Sequence, residues 1–187
     1  MEHRTNLLIA VLFSSIVLCC ISSCSSSSGR SVSSEAAESI LEEATRSVNA
    51  HNYDAAMEKA LQALALSQDD PLLKGRSLHV IVGIDIMASR DDDAWEKALE
   101  AESIARKHEF KKELSGILIS KAKLCSYAEI SPQTGRNDEG LCYAREALSL
   151  AQQTGEKELQ AEACYIIGSL YINKNRWSDP IDPETYR

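Results

Sequence analysis

A pattern of small residues recurs three times along this chain of 187 residues. Ala56, Ala60 and Ala63 are echoed by Ala94, Ala98 and Ala101, and again by Gly140, Ala144 and Ala147. The spacing i, i+4, i+7 lines one stripe of an α-helix, and a stripe without bulk lets another helix approach closely. The second copy begins 38 residues after the first and the third begins 46 residues after the second. That period belongs to stacked helical repeats, with a loop insertion to explain the inequality. A second helical pattern precedes each stripe: Ile40, Leu41 and Ala44; Leu78, Val82 and Ile86; Leu118, Ala122 and Cys125. A fourth copy of it, Cys164, Ile167 and Tyr171, follows the third stripe. The unit is a helix pair, and an all-α fold follows. Gly 8 and Pro 4 are few breakers for this length, and aromatic residues are only 5%, a balance that favours helix over sheet.

The helix boundaries carry their own chemistry. Asp70-Pro71 reads as an N-cap with proline at the first helical position, and Gly155 stands where a C-cap belongs. Asp91, Asp92 and Asp93 open one helix that Arg106 and Lys107 close, which suits the macrodipole at both ends. The acidic run is therefore a solvated helix start and not a metal site.

Small residues at these places of paired helices resemble the tetratricopeptide repeat. Cys164-x2-Ile167-Gly168-x2-Tyr171-x5-Trp177 is similar to the family's first-helix signature, and Asn52-Tyr53-x2-Ala56 to its turn into the second helix. The likeness spans residues 35–177, with Asp91 where an aromatic is usual and Ala128 to Arg136 as an inserted loop. It implies a right-handed superhelical solenoid of helix-turn-helix pairs, about three and a half repeats. The half repeat arises because Pro180 and Pro183 stand where another helix would run, and proline stops a helix. The resemblance also implies a concave groove that binds a protein or peptide. Its lining would be Leu41, Thr45 and Asn49, then Val80, Ile84 and Met87, then Ile119, Lys123 and Tyr127, then Tyr165, Ser169 and Ile172. Members that clamp a chaperone's C-terminal carboxylate use Lys and Asn there, and only Asn49 and Lys123 remain, so that clamp is not supported. The aliphatic members of the set, Val80, Ile84, Met87 and Ile119, equally suit a core, because a register shift of one residue exchanges groove for core.

The amino-terminal segment is an address. Arg4 precedes an almost continuous apolar run from Leu7 to Ile21, followed by Ser22 and Ser23. That is the layout of a secretory signal, and 15 residues fall short of the roughly 20 that a spanning helix needs. Ile21-Ser22-Ser23-Cys24 resembles the bacterial lipobox, which implies cleavage before Cys24 and diacylglycerol on its sulfur. Cys19 and Cys20 fit less well, since bulky Leu18 or Cys19 would precede the cut. Two or three acyl chains on one residue anchor durably. The expected organisation is a signal peptide over 1–23, a serine-rich tether over 24–34, the repeat domain over 35–177 and a tail over 178–187.

A formal charge of −8 argues against a nucleic-acid partner. Of six cysteines, Cys125, Cys142 and Cys164 lie in the helical part, far apart and among apolar positions, and read as small buried hydrophobes, with a disulfide between two of them as the alternative in an oxidising compartment. The histidines are scattered, and His108-Glu109 lacks the second histidine of a zinc helix, which Lys112 replaces. No nucleophile elbow, phosphate loop or dinucleotide fingerprint is present, so neither catalysis nor a cofactor is expected. The leading expectation is a lipid-anchored interaction module in the bacterial cell envelope, outside the cytoplasm. One alternative is the sensor portion of a longer histidine kinase or regulator. Another is a surface lipoprotein that binds a small ligand or glycan through exposed aromatics, with Trp95 and Trp177 as candidates.

Overall fold

In a computed structural model, residues 32–127 and 136–176 are described. They form helices alone: α1 (Val32–Asn49), α2 (Tyr53–Leu66), α3 (Pro71–Met87), α4 (Asp91–Lys107), α5 (Lys111–Tyr127), α6 (Asn137–Thr154) and α7 (Lys157–Arg176). The all-α expectation is met. α1 begins at Val32, inside the stretch assigned to the tether, and buries Ser34. Trp177, the tail and the segment 128–135 lie outside the described residues, as do Cys24 and the whole signal.

The connections explain why the chain breaks where it does. Asp70 accepts from the backbone N–H groups of Leu72 and Leu73 at 3.1 Å each, and Pro71 follows as the first helical residue. Asn52 accepts from Ala55 N–H at the start of α2. Gly155 ends α6 with φ of 76°, the left-handed backbone that glycine adopts without a Cβ penalty. His51, Ser89 and Glu109 take the same left-handed turn at φ of 57°, 56° and 57° after α1, α3 and α4. A turn of one geometry thus recurs along the chain.

Every helix packs on the next, and α1, α3, α5 and α7 also approach one another in succession, whereas α2, α4 and α6 do not. The stripes account for this. Ala56, Ala60 and Ala63, Ala94, Ala98 and Ala101, and Ala144 and Ala147 are all fully buried. Ala44 meets Ala56 and Ala60, Val82 meets Ala94 and Ala98, and Leu118 sits in one cluster with Ala144 and Ala147. Small residues on the second helix of each pair admit bulkier ones on the first, which is how such a core reaches close packing.

Two charged side chains are buried, Asp85 and Lys121. Asp85, at the end of α3, is covered by Arg90, 2.7 Å from its Oδ1, and by Lys97 of α4, 3.1 Å from its Oδ2. Two cations for one carboxylate offset its desolvation and tie the α3–α4 turn to α4. The cysteine expectation is corrected in part. Cys125 is buried, and burial pushes its thiol up to about 11. Cys142 and Cys164 are exposed, because each falls on the solvent side of its own helix.

Candidate binding face on the odd-numbered helices

The row α1, α3, α5, α7 presents a shared face, and a polar pair spans each step along it. Glu38 of α1 and Arg76 of α3 are 3.1 Å apart. His79 Nε2 of α3 and Ser120 Oγ of α5 are 3.0 Å apart. Lys123 of α5 and Glu162 of α7 are 2.5 Å apart. An open hollow of about 450 Å³ lies between α1 and α3, lined by Leu41, Glu42, Thr45, Arg46, Arg76, His79 and Val80. Its floor is apolar and its rim is charged, which suits a peptide side chain better than a reacting centre.

The residues expected to line a groove divide three ways. Leu41, Thr45 and Val80 meet at this hollow. Tyr165, Ser169 and Ile172 line a second one on α7, with Cys164 and Gly168. Ile84 and Ile119 line neither: each is 1% exposed, inside the clusters around Ala60 and Leu118, and their assignment to the groove is corrected. Their side chains turn inward, toward the neighbouring helices. Asn49 and Met87 are exposed near the ends of α1 and α3, Lys123 is half-buried in its ion pair, and the Tyr127 side chain lies outside the described residues. Sequence reasoning missed Arg76, His79 and Glu162. The available signal was polar residues at the helical spacing of apolar ones, as Arg76 and His79 are within the largely apolar α3.

His79 is the most perturbed group on this face. Its ring lies over Gly116, where a Cβ would come within 2.7 Å of Cε1. Burial lowers its pKa from 6.5 to about 4, with Glu162 acting to raise it and Lys123 to lower it further. The imidazole is therefore neutral near pH 7, and Ser120 partners it in that form. A histidine whose folded pKa is depressed contributes stability that is complete above about pH 6.5 and lost as pH falls toward 4. At about 1.4 kcal/mol per unit, the loss is on the order of 2–3 kcal/mol. His79→Gln should flatten this part of the profile in urea melts between pH 7 and 4.5. A variant profile parallel to the wild type would show that the ring is not buried as described.

Trp95, one of the candidate exposed aromatics, is only partly exposed and is engaged on its own chain. The Arg136 guanidinium lies 4.0 Å from its ring centre and buried Lys121 lies 4.9 Å from it. Lys121 also sits 4.0 Å over Tyr143 and pairs with Glu102 at 2.6 Å. The described residues hold no group of three or more His, Cys, Asp or Glu that could ligate a metal, and no helix among them is long and apolar enough to cross a membrane.

Comparison with protein-family models, with curated proteins and with solved structures finds no match to this chain.

Proposed function

We propose that this chain is a lipid-anchored protein-interaction module of the tetratricopeptide type. In this reading Cys24 carries the lipid, and the helix pairs form a right-handed solenoid of about three and a half repeats outside the cytoplasm of a bacterial cell. The single observation that carries the reading is the hollow between α1 and α3 on a face shared by the first helices of successive pairs. A partner segment laid there would place an apolar residue against Leu41 and Val80 and polar groups near Arg46 and Glu42. Arg46 and Glu42, both exposed and in no ion pair within 4 Å among the described residues, are the charges at this hollow open to a partner.

One experiment in cells tests both halves. The chain is expressed with a photo-crosslinking amino acid at Thr45 and labelled with a fatty-acid analogue. The expected result is lipid on the wild type, none on Cys24→Ala, and a crosslink to one envelope protein. Labelling that survives Cys24→Ala would remove the anchor from the proposal. Crosslinks to the chain itself alone would remove the groove.

A further inference from the structure

Two cations meet the ring of Trp95, and they are held in different ways. Trp95 of α4 and Tyr143 of α6 stand edge to face with ring centres 6.2 Å apart. Lys121 reaches both rings from α5, and its side chain is 3% exposed and paired with Glu102. Burial fixes that cation in place. Arg136 immediately precedes α6 and lies over Trp95 with 41% of its side chain exposed. Besides the ring it grips Glu139, three residues on, through Nε at 2.8 Å and Nη2 at 2.9 Å. The Tyr143 hydroxyl donates to the same carboxylate at 2.8 Å and orients it from one turn away.

The Arg136 side chain can rotate away without breaking a backbone hydrogen bond, since its carbonyl still accepts from Gly140 N–H at 2.8 Å. An exposed ion pair of this kind holds only weakly. What stays behind is an indole face and a half-exposed carboxylate already oriented by a hydroxyl. The bidentate grip defines the cation that fits. A guanidinium offers two parallel N–H donors to a carboxylate and a plane to stack on indole, whereas an ammonium is a point charge and a quaternary amine has no donor. The surrounding charge favours an incoming cation, because exposed Asp91 and Asp92 lie one turn before Trp95 on α4 in a chain of net charge −8.

We propose that Trp95 and Glu139, with Tyr143 orienting the carboxylate, form a binding seat for a guanidinium group from outside the chain, and that Arg136 is the internal plug which that group displaces. The plug makes binding conditional, because a tethered guanidinium competes at an effective concentration on the order of millimolar. The seat shares no residue with the hollow between α1 and α3. Either can fail without the other.

The test uses the full chain in mild detergent, labelled with nitrogen-15, and follows the Trp95 indole N–H signal, identified by its loss in Trp95→Phe. The probes are acetyl-Gly-Arg-Gly-amide, free arginine, acetyl-Gly-Lys-Gly-amide and tetramethylammonium. Arg136→Ala should give a saturable shift with a guanidinium probe at a dissociation constant about tenfold or more below that of the wild type. Adding Glu139→Gln to Arg136→Ala should weaken that binding about fivefold or more, and the lysine peptide and tetramethylammonium should bind as weakly. Tighter binding of the peptide places the guanidinium on a polypeptide, and tighter binding of free arginine places it on a small molecule; both support the seat. Circular dichroism checks that each variant is folded, and Arg136→Gln, which keeps part of the aliphatic stem, replaces the alanine variant if α6 loosens. Equal binding by wild type and plug variants overturns the proposal. So does tetramethylammonium or the lysine peptide binding as tightly as arginine, or no saturable shift up to about 50 mM of either guanidinium probe.

Discussion

Ile84→Glu should abolish cooperative folding, whereas Val80→Glu, one helical turn earlier on α3, should leave the chain folded. Ile84 is fully buried with Ala44, Ala56, Ala60 and Ile81. Replacing it removes a core side chain, at about 2–5 kcal/mol, and buries a carboxylate without a partner, at several more. A domain of ordinary stability holds only about 5–15 kcal/mol in total. Val80 packs only on the edge of that cluster and also borders the open hollow, in the company of Arg46 and Arg76. A glutamate there reaches water and two cations, so the cost should stay within about 1 kcal/mol. Thermal melts followed by circular dichroism distinguish the two. If both variants unfold, the α1–α3 hollow is core; if both fold, Ile84 is not where the packing places it.

This pair of positions also marks how far the sequence could be read. The stripes at Ala56, Ala94 and Gly140 announced the helix pairs, because a run of small residues at helical spacing has few other uses. Asp70-Pro71 and Gly155 fixed boundaries through local chemistry that tertiary packing does not override. Groove and core were not separable in the same way. Val80 and Ile84 are neighbours on one helix, and about 40° of rotation decides which faces a neighbour. Ile84 and Ile119 therefore went to the wrong side. Cys142 and Cys164 failed for a related reason: both sit among apolar residues in sequence, yet exposure depends on what covers that side of the helix. For Cys164 the described residues supply no cover, a fact about α7's surroundings that α7's own sequence does not contain. The polar steps at Arg76, His79 and Lys123 were hidden differently, since their partners lie about 40 residues away, across a repeat whose register had to be known first.

Gly140→Leu should be the most disruptive single substitution in the small-residue stripes. Gly140 stands first in the third stripe, where Ala56 and Ala94 stand in the others, and its lack of a side chain is used three ways at once. A Cβ added there would lie 2.9 Å from Cys125 Cβ on α5 and 3.1 Å and 3.2 Å from the two methyl carbons of Leu170 on α7. Leu170 can turn aside, but Cys125 Cβ is fixed to the α5 backbone, so relief requires α6 to move away from α5. Even Gly140→Ala sets a helix-propensity gain of at most about 1 kcal/mol against an overpacking cost of about 1–3 kcal/mol, and the cost wins. Leucine adds three further carbons to a site with no room for the first, and a loss of about 3 kcal/mol or more is expected, or about 10 °C in Tm. The control is Gly83→Ala on α3, where a Cβ meets nothing within 4 Å. Only the propensity term acts there, and the melting temperature should rise by a few degrees. Opposite signs at two helical glycines would show that the third stripe sets the spacing of α5, α6 and α7. Equal effects would mean that α6 lies farther from α5 than these distances allow.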